Sequence, residues 1–324
     1  MGRFTIGFDK RDVPLLHRYW DEIIASERWT EGPFTQRFEE AWGEHVGQPA
    51  VAFSSWAGAA LAALEYFNVR GKVVLSPSNT FMATPLVTLQ AGARVEFVDC
   101  NREDLCMSFQ DLKRQVERHQ PAAVWLVHIG GHIAFEAEQI AAFCRERGIV
   151  LLEDCAHAHG ALWHGKRAGQ WGEAGVYSFY GTKTITTGEG GMLVTRHGDL
   201  VEYARKFRNY GKPDYAVRGL NYRMSEFTAA IGLVQTRRLP EIIEFKQSLA
   251  TKFDARHPNR VRLPEGMISG YYKYIVFEEI PDSTGKVYDT PCHRIMGYDI
   301  HLANTEWVSC HHWCVPIYYE TSAA

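Results

Sequence analysis

Ile149-Val150-Leu151-Leu152-Glu153-Asp154-Cys155-Ala156-His157-Ala158-His159-Gly160 sets four apolar residues between Gly148 and a pair of acids. A short apolar run bounded in this way reads as a buried parallel strand, and the carboxyl end of such a strand is where open α/β sheets collect ligands. Asp154 therefore stands at a position suited to chemistry. Taken singly, it reads equally well as a helix N-cap after the strand.

Downstream, Tyr177-Ser178-Phe179-Tyr180-Gly181-Thr182-Lys183-Thr184 runs into the glycine-dense Gly188-Glu189-Gly190-Gly191. This puts one lysine between an apolar strand and a flexible loop, where its amine is partly desolvated and still within reach of a carbonyl compound. Removal from water lowers a lysine pKa and leaves more free amine to form a Schiff base. The alternative for a lone loop lysine is a solvated surface charge. A carboxylate at a strand end followed by such a lysine is what a pyridoxal phosphate enzyme requires, the acid keeping the pyridine nitrogen protonated and the lysine carrying the aldehyde.

Short apolar runs alternate with longer amphipathic segments along the chain, which argues for an α/β sheet rather than a sandwich or a bundle. Seven strands are predicted: Val51 to Phe53, Val73 to Leu75, Val95 to Val98, Val124 to Val127, Val150 to Glu153, Val176 to Phe179 and Met192 to Thr195. Helices are predicted over Ala57 to Phe67, Met82 to Leu89, Phe109 to Arg118 and Ala134 to Arg147, each with apolar residues at three- and four-residue spacings. From Ser225 a helix runs to Arg238, Pro240 interrupts it, and Glu241 to Phe253 resumes as a second helix. The expected division is a large domain over 1–238 and a small C-terminal α+β domain over 239–324, in which Tyr271 to Phe277 is a strand.

With 324 residues, 46% of them hydrophobic and 23% charged, the chain buries a large core. A formal net charge of -3 and no lysine or arginine run leave no electrostatic footprint for nucleic acid or an anionic membrane. The opening stretch Met1 to Lys10 is soon broken by charge and no apolar run approaches a membrane span, so the expected location is the cytoplasm. Seven scattered cysteines form no secreted framework and are expected to be reduced thiols. Cys310-His311-His312-Trp313-Cys314 lacks the distant second pair that a tetrahedral zinc site needs, and no metal is expected.

Several ordered blocks resemble the DegT/DnrJ/EryC1/StrS family of sugar aminotransferases, on the aspartate aminotransferase (type I) fold. They are Glu153 to Ala161, Ser178 to Lys183 and Gly219-Leu220-Asn221-Tyr222-Arg223-Met224-Ser225-Glu226, with Pro77 to Phe81 and Asn304 to Trp307 also matching. The resemblance implies a mostly parallel seven-stranded sheet flanked by helices and a pyridoxal 5'-phosphate cofactor, pyridoxamine 5'-phosphate during turnover. By the same resemblance Lys183 and Asp154 are catalytic. The cofactor phosphate meets the amides of Ala57 and Gly58, the Ser178 hydroxyl and Asn221 of a partner chain, so that a homodimer shares its active sites. Phe81 stacks on the pyridine ring, although as a bare residue it reads as core. His157 stands where many members carry a glutamine that contacts the cofactor's phenolic oxygen, and it brings a group able to titrate near neutral pH. His159 is expected to hold Asp154 from behind, and a structural role stays open for both histidines. Trp56 and Ala57 depart from the family's Ser-Gly-Thr, and the C-terminal part is shorter than the family's.

The implied reaction is a ping-pong transamination with glutamate as donor and a nucleotide-linked keto sugar as acceptor, a 4-keto-6-deoxyhexose by the likeness of Thr182 to Gly191 to perosamine synthases. Two other readings share the scaffold. A pyridoxamine-dependent sugar 3-dehydratase carries histidine at the lysine position, which Lys183 disfavours; a non-catalytic cofactor-binding regulator would show no steady turnover with glutamate.

Overall fold

The computed structural model describes residues 7–319; Met1 to Ile6 of the opening stretch and residues 320–324 of the expected small domain lie outside the described residues. In chain order the elements are α1 (Val13–Ser26), α2 (Pro33–Val46), β1 (Ala50–Phe53), α3 (Trp56–Tyr66), β2 (Val73–Pro77), α4 (Ala83–Gln90), β3 (Arg94–Val98), α5 (Phe109–His119), β4 (Ala123–Val127), α6 (Ala137–Glu146) and β5 (Val150–Asp154). There follow β6 (Leu162–Trp163), β7 (Lys166–Arg167), β8 (Ala174–Ser178), β9 (Gly191–Val194), α7 (Gly198–Phe207), α8 (Glu226–Asp254), β10 (Tyr274–Val276), α9 (Cys292–Ile295), α10 (Ala303–Cys310) and β11 (Trp313–Val315). All seven predicted strands are present, with ends moved by one or two residues, and they make one sheet in the order β1-β9-β8-β5-β4-β2-β3. Neighbours pair in parallel except β9, which is antiparallel to both β8 and β1.

Side-chain alternation along the strands explains their unbroken apolar character. Leu75, Val124, Leu126 and Tyr177 join a core with α1, α2, α5, α6 and α8, while Val74, Ala123, Trp125 and Val176 join a second core with α3, α4 and α7. A strand covered on both faces has no polar side to alternate with. The amphipathic α5 shows why a helix starts where it does: Ser108 accepts from the Asp111 amide, and Arg118 and His119 lie in the last turn. Among the described residues no helix is long and apolar enough to cross a membrane.

Two expectations fail. The predicted break at Pro240 is absent, because α8 is a single helix of 29 residues that runs through Pro240. A proline inside a helix costs about 3 kcal/mol, and the buried residues on both sides of it offset that cost: Leu233, Val234, Leu239, Ile242 and Ile243 all join the larger core. Gly232 lets α2 come close, since a methyl there would lie 2.5 Å from the Phe38 ring. The second failure is the strand over Tyr271 to Phe277, of which only Tyr274–Val276 pairs, with β11. Gly270 N–H donates to Gly131 O at 2.8 Å and Lys273 N–H to Gly130 O at 2.9 Å, so this backbone is spent on the loop after β4, with Tyr271 at φ 42°.

Glu226 fastens α2 to α8. Its fully buried carboxylate accepts the amides of Gly32, Phe34 and Thr35 and the Thr35 hydroxyl, capping the N-terminus of α2 from a residue almost two hundred positions away. Glu226→Ala leaves those donors buried and unmatched, and is expected to lower stability by about 2–4 kcal/mol, read as a fall in the midpoint of urea denaturation. An unchanged midpoint would show that water replaces the carboxylate at no cost.

Candidate active site

A cavity of about 770 Å³ opens where the parallel strands end. Asp154 closes β5, Ser178 closes β8 and Val127 closes β4, and each lines it. Ala57, Phe81, His157 and Lys183 line it as well. Of the residues expected to form the site, Gly58 and Asn221 do not.

Asp154 is not a helix cap. It is buried, no helix starts after it, and its Oδ1 accepts the Ala156 amide at 3.0 Å in a tight turn. Its Oδ2 accepts from Thr84 Oγ1 at 3.0 Å, so α4 fixes the plane of the carboxylate. Burial raises its pKa, opposed by the Ala156 amide and the Lys183 ammonium. Glu153, one residue earlier, serves the fold. It accepts the amides of Gly169, Trp171 and Gly172, each at 2.7 Å, and pairs with His128 Nε2 at 2.9 Å. Because His128 Nδ1 accepts the Ala134 amide, Nε2 carries the proton that Glu153 receives.

Lys183 follows a turn closed by its own amide to Tyr180 O at 2.9 Å. Its ammonium lies 5.0 Å from the centre of the Tyr272 ring. Burial lowers its pKa to about 8; Asp154 pulls upward and Lys273 pushes further down. The solvated-charge alternative for this lysine does not hold.

His157 is stacked on Tyr272, with centroids 4.1 Å apart, and lies near-parallel to Tyr288, whose hydroxyl is 3.5 Å from Nε2. Burial, with Lys183 and Lys273 adding to it, drives its pKa well below the ordinary value, so this ring is neutral at neutral pH rather than titrating there. Its Nδ1 is buried without a partner among the described residues. His159 makes no hydrogen bond to Asp154, contrary to expectation. It is packed edge-on against Trp42, Tyr177 and Phe179, and burial takes its pKa to about 3. Thr84 and Ala156 do what His159 was expected to do.

Ser55 is the N-cap of α3 and accepts the Gly58 amide at 3.2 Å, so that amide is spent on the cap, while Ala57 lines the cavity. The Trp56 indole, which departs from the family pattern, donates to Val176 O at 3.2 Å and so ties α3 to β8. Ser178 Oγ accepts the Tyr180 amide at 3.3 Å. Phe81 is not core: it is 64% exposed at the cavity mouth. Asn221 is exposed outside the cavity, its Oδ1 accepting the Arg223 amide at 3.3 Å. In the cysteine–histidine cluster near the C-terminus, His312 spends both ring nitrogens, on the Val287 amide and on Val308 O.

Tyr272, Lys273 and Tyr288 line the cavity and Thr84 holds Asp154 from behind it, and none of the four carries a signal in the sequence. Tyr272 and Lys273 sit in the segment read as strand, where alternation gives no hint of a bend.

The sequence pattern of the DegT/DnrJ/EryC1/StrS aminotransferase family matches residues 15–258. A GDP-perosamine synthase of Escherichia coli O157:H7 is 33% identical over 241 residues, 72% of this chain and 65% of that protein. The match thus spans just under two thirds of that relative's length. A dTDP-4-dehydro-2,3,6-trideoxy-D-glucose 4-aminotransferase of Saccharopolyspora spinosa is 31% identical over 284 residues, 79% of this chain and 73% of that one. The solved structure of an aminotransferase, TlmJ, from Streptoalloteichus hindustanus superposes with a TM-score of 0.86 at 27% identity, covering 97% of this chain and 93% of the other.

A lysine of pKa about 8 is half free amine near pH 8. Modification of Lys183 by an amine-directed acylating reagent, followed peptide by peptide in the mass spectrometer, is expected to reach half its maximal rate near that pH. Asp154→Asn removes the anion that holds the proton on, so the midpoint is expected to fall. A midpoint at the pH of an exposed lysine would show that Lys183 is solvated.

Proposed function

This chain belongs to the DegT/DnrJ/EryC1/StrS aminotransferase family, and from that membership we propose that it is a pyridoxal phosphate-dependent aminotransferase carrying an amino group from L-glutamate to a nucleotide-linked keto sugar. The observation that carries the reading is the pair Asp154 and Lys183 on one cavity, the amine brought down to about 8. A 4-keto-6-deoxyhexose acceptor is the finer part of the proposal, supported by the names of the perosamine synthase and the sugar 4-aminotransferase to which the chain is similar.

The residues present fit the cofactor. Asp154 has a fixed plane and capacity for a further donor, His157 has an unmatched buried Nδ1, and Ala57 at the start of α3 lines the same cavity as Ser178. Pyridoxal phosphate, when bound, supplies an electron sink that stabilises a carbanion beside the transferred nitrogen. Asp154 would keep the pyridine nitrogen protonated, and Thr84 and the Ala156 amide hold the carboxylate in orientation for that. Ser178 and the Ala57 amide would hold the phosphate, helped by the helix N-terminus. His157, neutral and clamped by Tyr272, would donate to or accept from the phenolic oxygen, and Phe81 would cover the ring at the mouth. Lys183 would take a proton from one carbon and return it to another, a task suited to an amine whose pKa is near the working pH.

Asn221 faces solvent within one chain, and we propose that it completes the phosphate site of a second copy, making the working form a homodimer with shared active sites. An isologous pair gives two such sites.

Two outcomes test this. Lys183→Ala is expected to abolish borohydride-stable retention of labelled cofactor, and Asp154→Asn to lower turnover by about a hundredfold or more while cofactor occupancy falls far less. Retention on another residue, or a near wild-type rate in Asp154→Asn, would sink the assignment. For the shared site, Asn221→Asp sets a charge against the phosphate and is expected to inactivate, as is Lys183→Ala. After dissociation and reassociation of the two variants together, each mixed dimer is expected to regain one working site. Proven subunit exchange without recovered activity would leave Asn221 a structural role only.

A further inference from the structure

Besides Lys183, three lysines stand in or beside the cavity, and their amines are not equivalent. Lys286 donates to Cys310 O at 2.8 Å and His312 O at 2.9 Å, over the face of Trp313. Lys246, buried within α8, donates to Tyr271 O at 3.1 Å. Lys273 lines the cavity and, among the described residues, its ammonium makes neither a hydrogen bond nor an ion pair. Its contact is with the face of Tyr272, 5.4 Å from the ring centre, the same ring that Lys183 lies 5.0 Å from. The charge is felt around it: Lys273 helps to lower the pKa values of Lys183, Lys246 and His157.

The position is held firmly. Lys273 N–H donates to Gly130 O, β10 begins at the next residue, and a methyl on Gly131 would lie 2.5 Å from the Tyr272 nitrogen, so the two backbones touch. Lys273 also borders a neighbouring cleft of about 490 Å³, but the cations there are engaged: Arg260 with Asp254 and His257 O, Arg262 with Pro258 O. A half-buried ammonium whose one contact is a ring face has donors to spare, and an anionic oxygen at that spot gains a charge-assisted hydrogen bond.

We propose that Lys273 is the anion receptor of this site, binding an anionic oxygen of a substrate while Lys183 serves the reacting carbon. The proposal rests on the aminotransferase reading. Both amines flank one ring, which favours an anion close to the reacting centre. An amino acid carries its carboxylate on the very carbon that bears the amine, whereas the phosphates of a nucleotide-linked 4-keto hexose leave from C1, across the sugar ring. The donor's carboxylate is therefore the expected ligand.

The test compares cofactor-loaded wild type with Lys273→Met, which keeps the length and loses the charge, and Lys273→Arg, which keeps the charge. Single turnovers are followed with glutamate in one arm and with the nucleotide-linked amino sugar in the other. Glutarate, which has carboxylates and no amine, is titrated by calorimetry. In Lys273→Met the concentration of glutamate for half-maximal rate is expected to rise roughly ten- to a hundredfold, as for loss of a charge-assisted hydrogen bond. Its limiting rate should change much less, glutarate binding should weaken in parallel, and Arg should restore most of the loss. A loss confined to the nucleotide-sugar arm supports the receptor and assigns it a phosphate. Unchanged concentration dependence in both arms, with or without a fall in limiting rate, overturns the proposal while leaving the aminotransferase reading intact. A wild type that completes neither half-reaction overturns both.

Discussion

A carboxylate deprived of water must be met by donors, and two adjacent carboxylates at the end of β5 are met in opposite ways. Glu153 is surrounded: three amides from the loop before β8 and the imidazole of His128 satisfy it, and it pins that loop to the sheet. Asp154, one residue on and therefore turned to the other face, receives only Thr84 and the Ala156 amide and keeps capacity toward the cavity. Everything chemical about the site follows from that asymmetry. One acid spends its charge on the fold, and the other holds it ready.

The second requirement is a dry amine, and that comes from another part of the chain. Lys183 is desolvated beneath Tyr272, a residue of the C-terminal region placed by the backbone bonds between residues 270–273 and Gly130–Gly131. Tyr272 also clamps His157. The lowered pKa of the lysine and the neutrality of the histidine both come first from burial, to which the shared Tyr272 ring contributes.

The polar hub at Glu226 and the run of α8 through Pro240 do for the frame what Glu153 does for the site. Each joins elements far apart in the chain by a buried, fully engaged contact. A proline is tolerated in α8 because the apolar residues around it are packed against the sheet and α2, and their burial outweighs one missing hydrogen bond.

By itself the sequence determined the sheet, with its seven buried runs and their crossover helices, since continuous apolar segments of strand length have few other ways to leave water. It also determined which acid ends a strand and which lysine stands in the loop after one. The places of Asp154 and Lys183 were legible because the motifs that carry them are local, a few residues on either side. Only the tertiary structure decided that Ser55 takes the Gly58 amide to cap α3, that His159 is packing, that His157 stays neutral, that Thr84 holds Asp154, and that Tyr272 and Lys273 reach the cavity. Each of those depends on a neighbour distant in sequence or on the competition between two partners for one donor. Periodicity and composition carry no record of such competition; it is settled when the chain closes and each buried polar atom takes the partner within its reach.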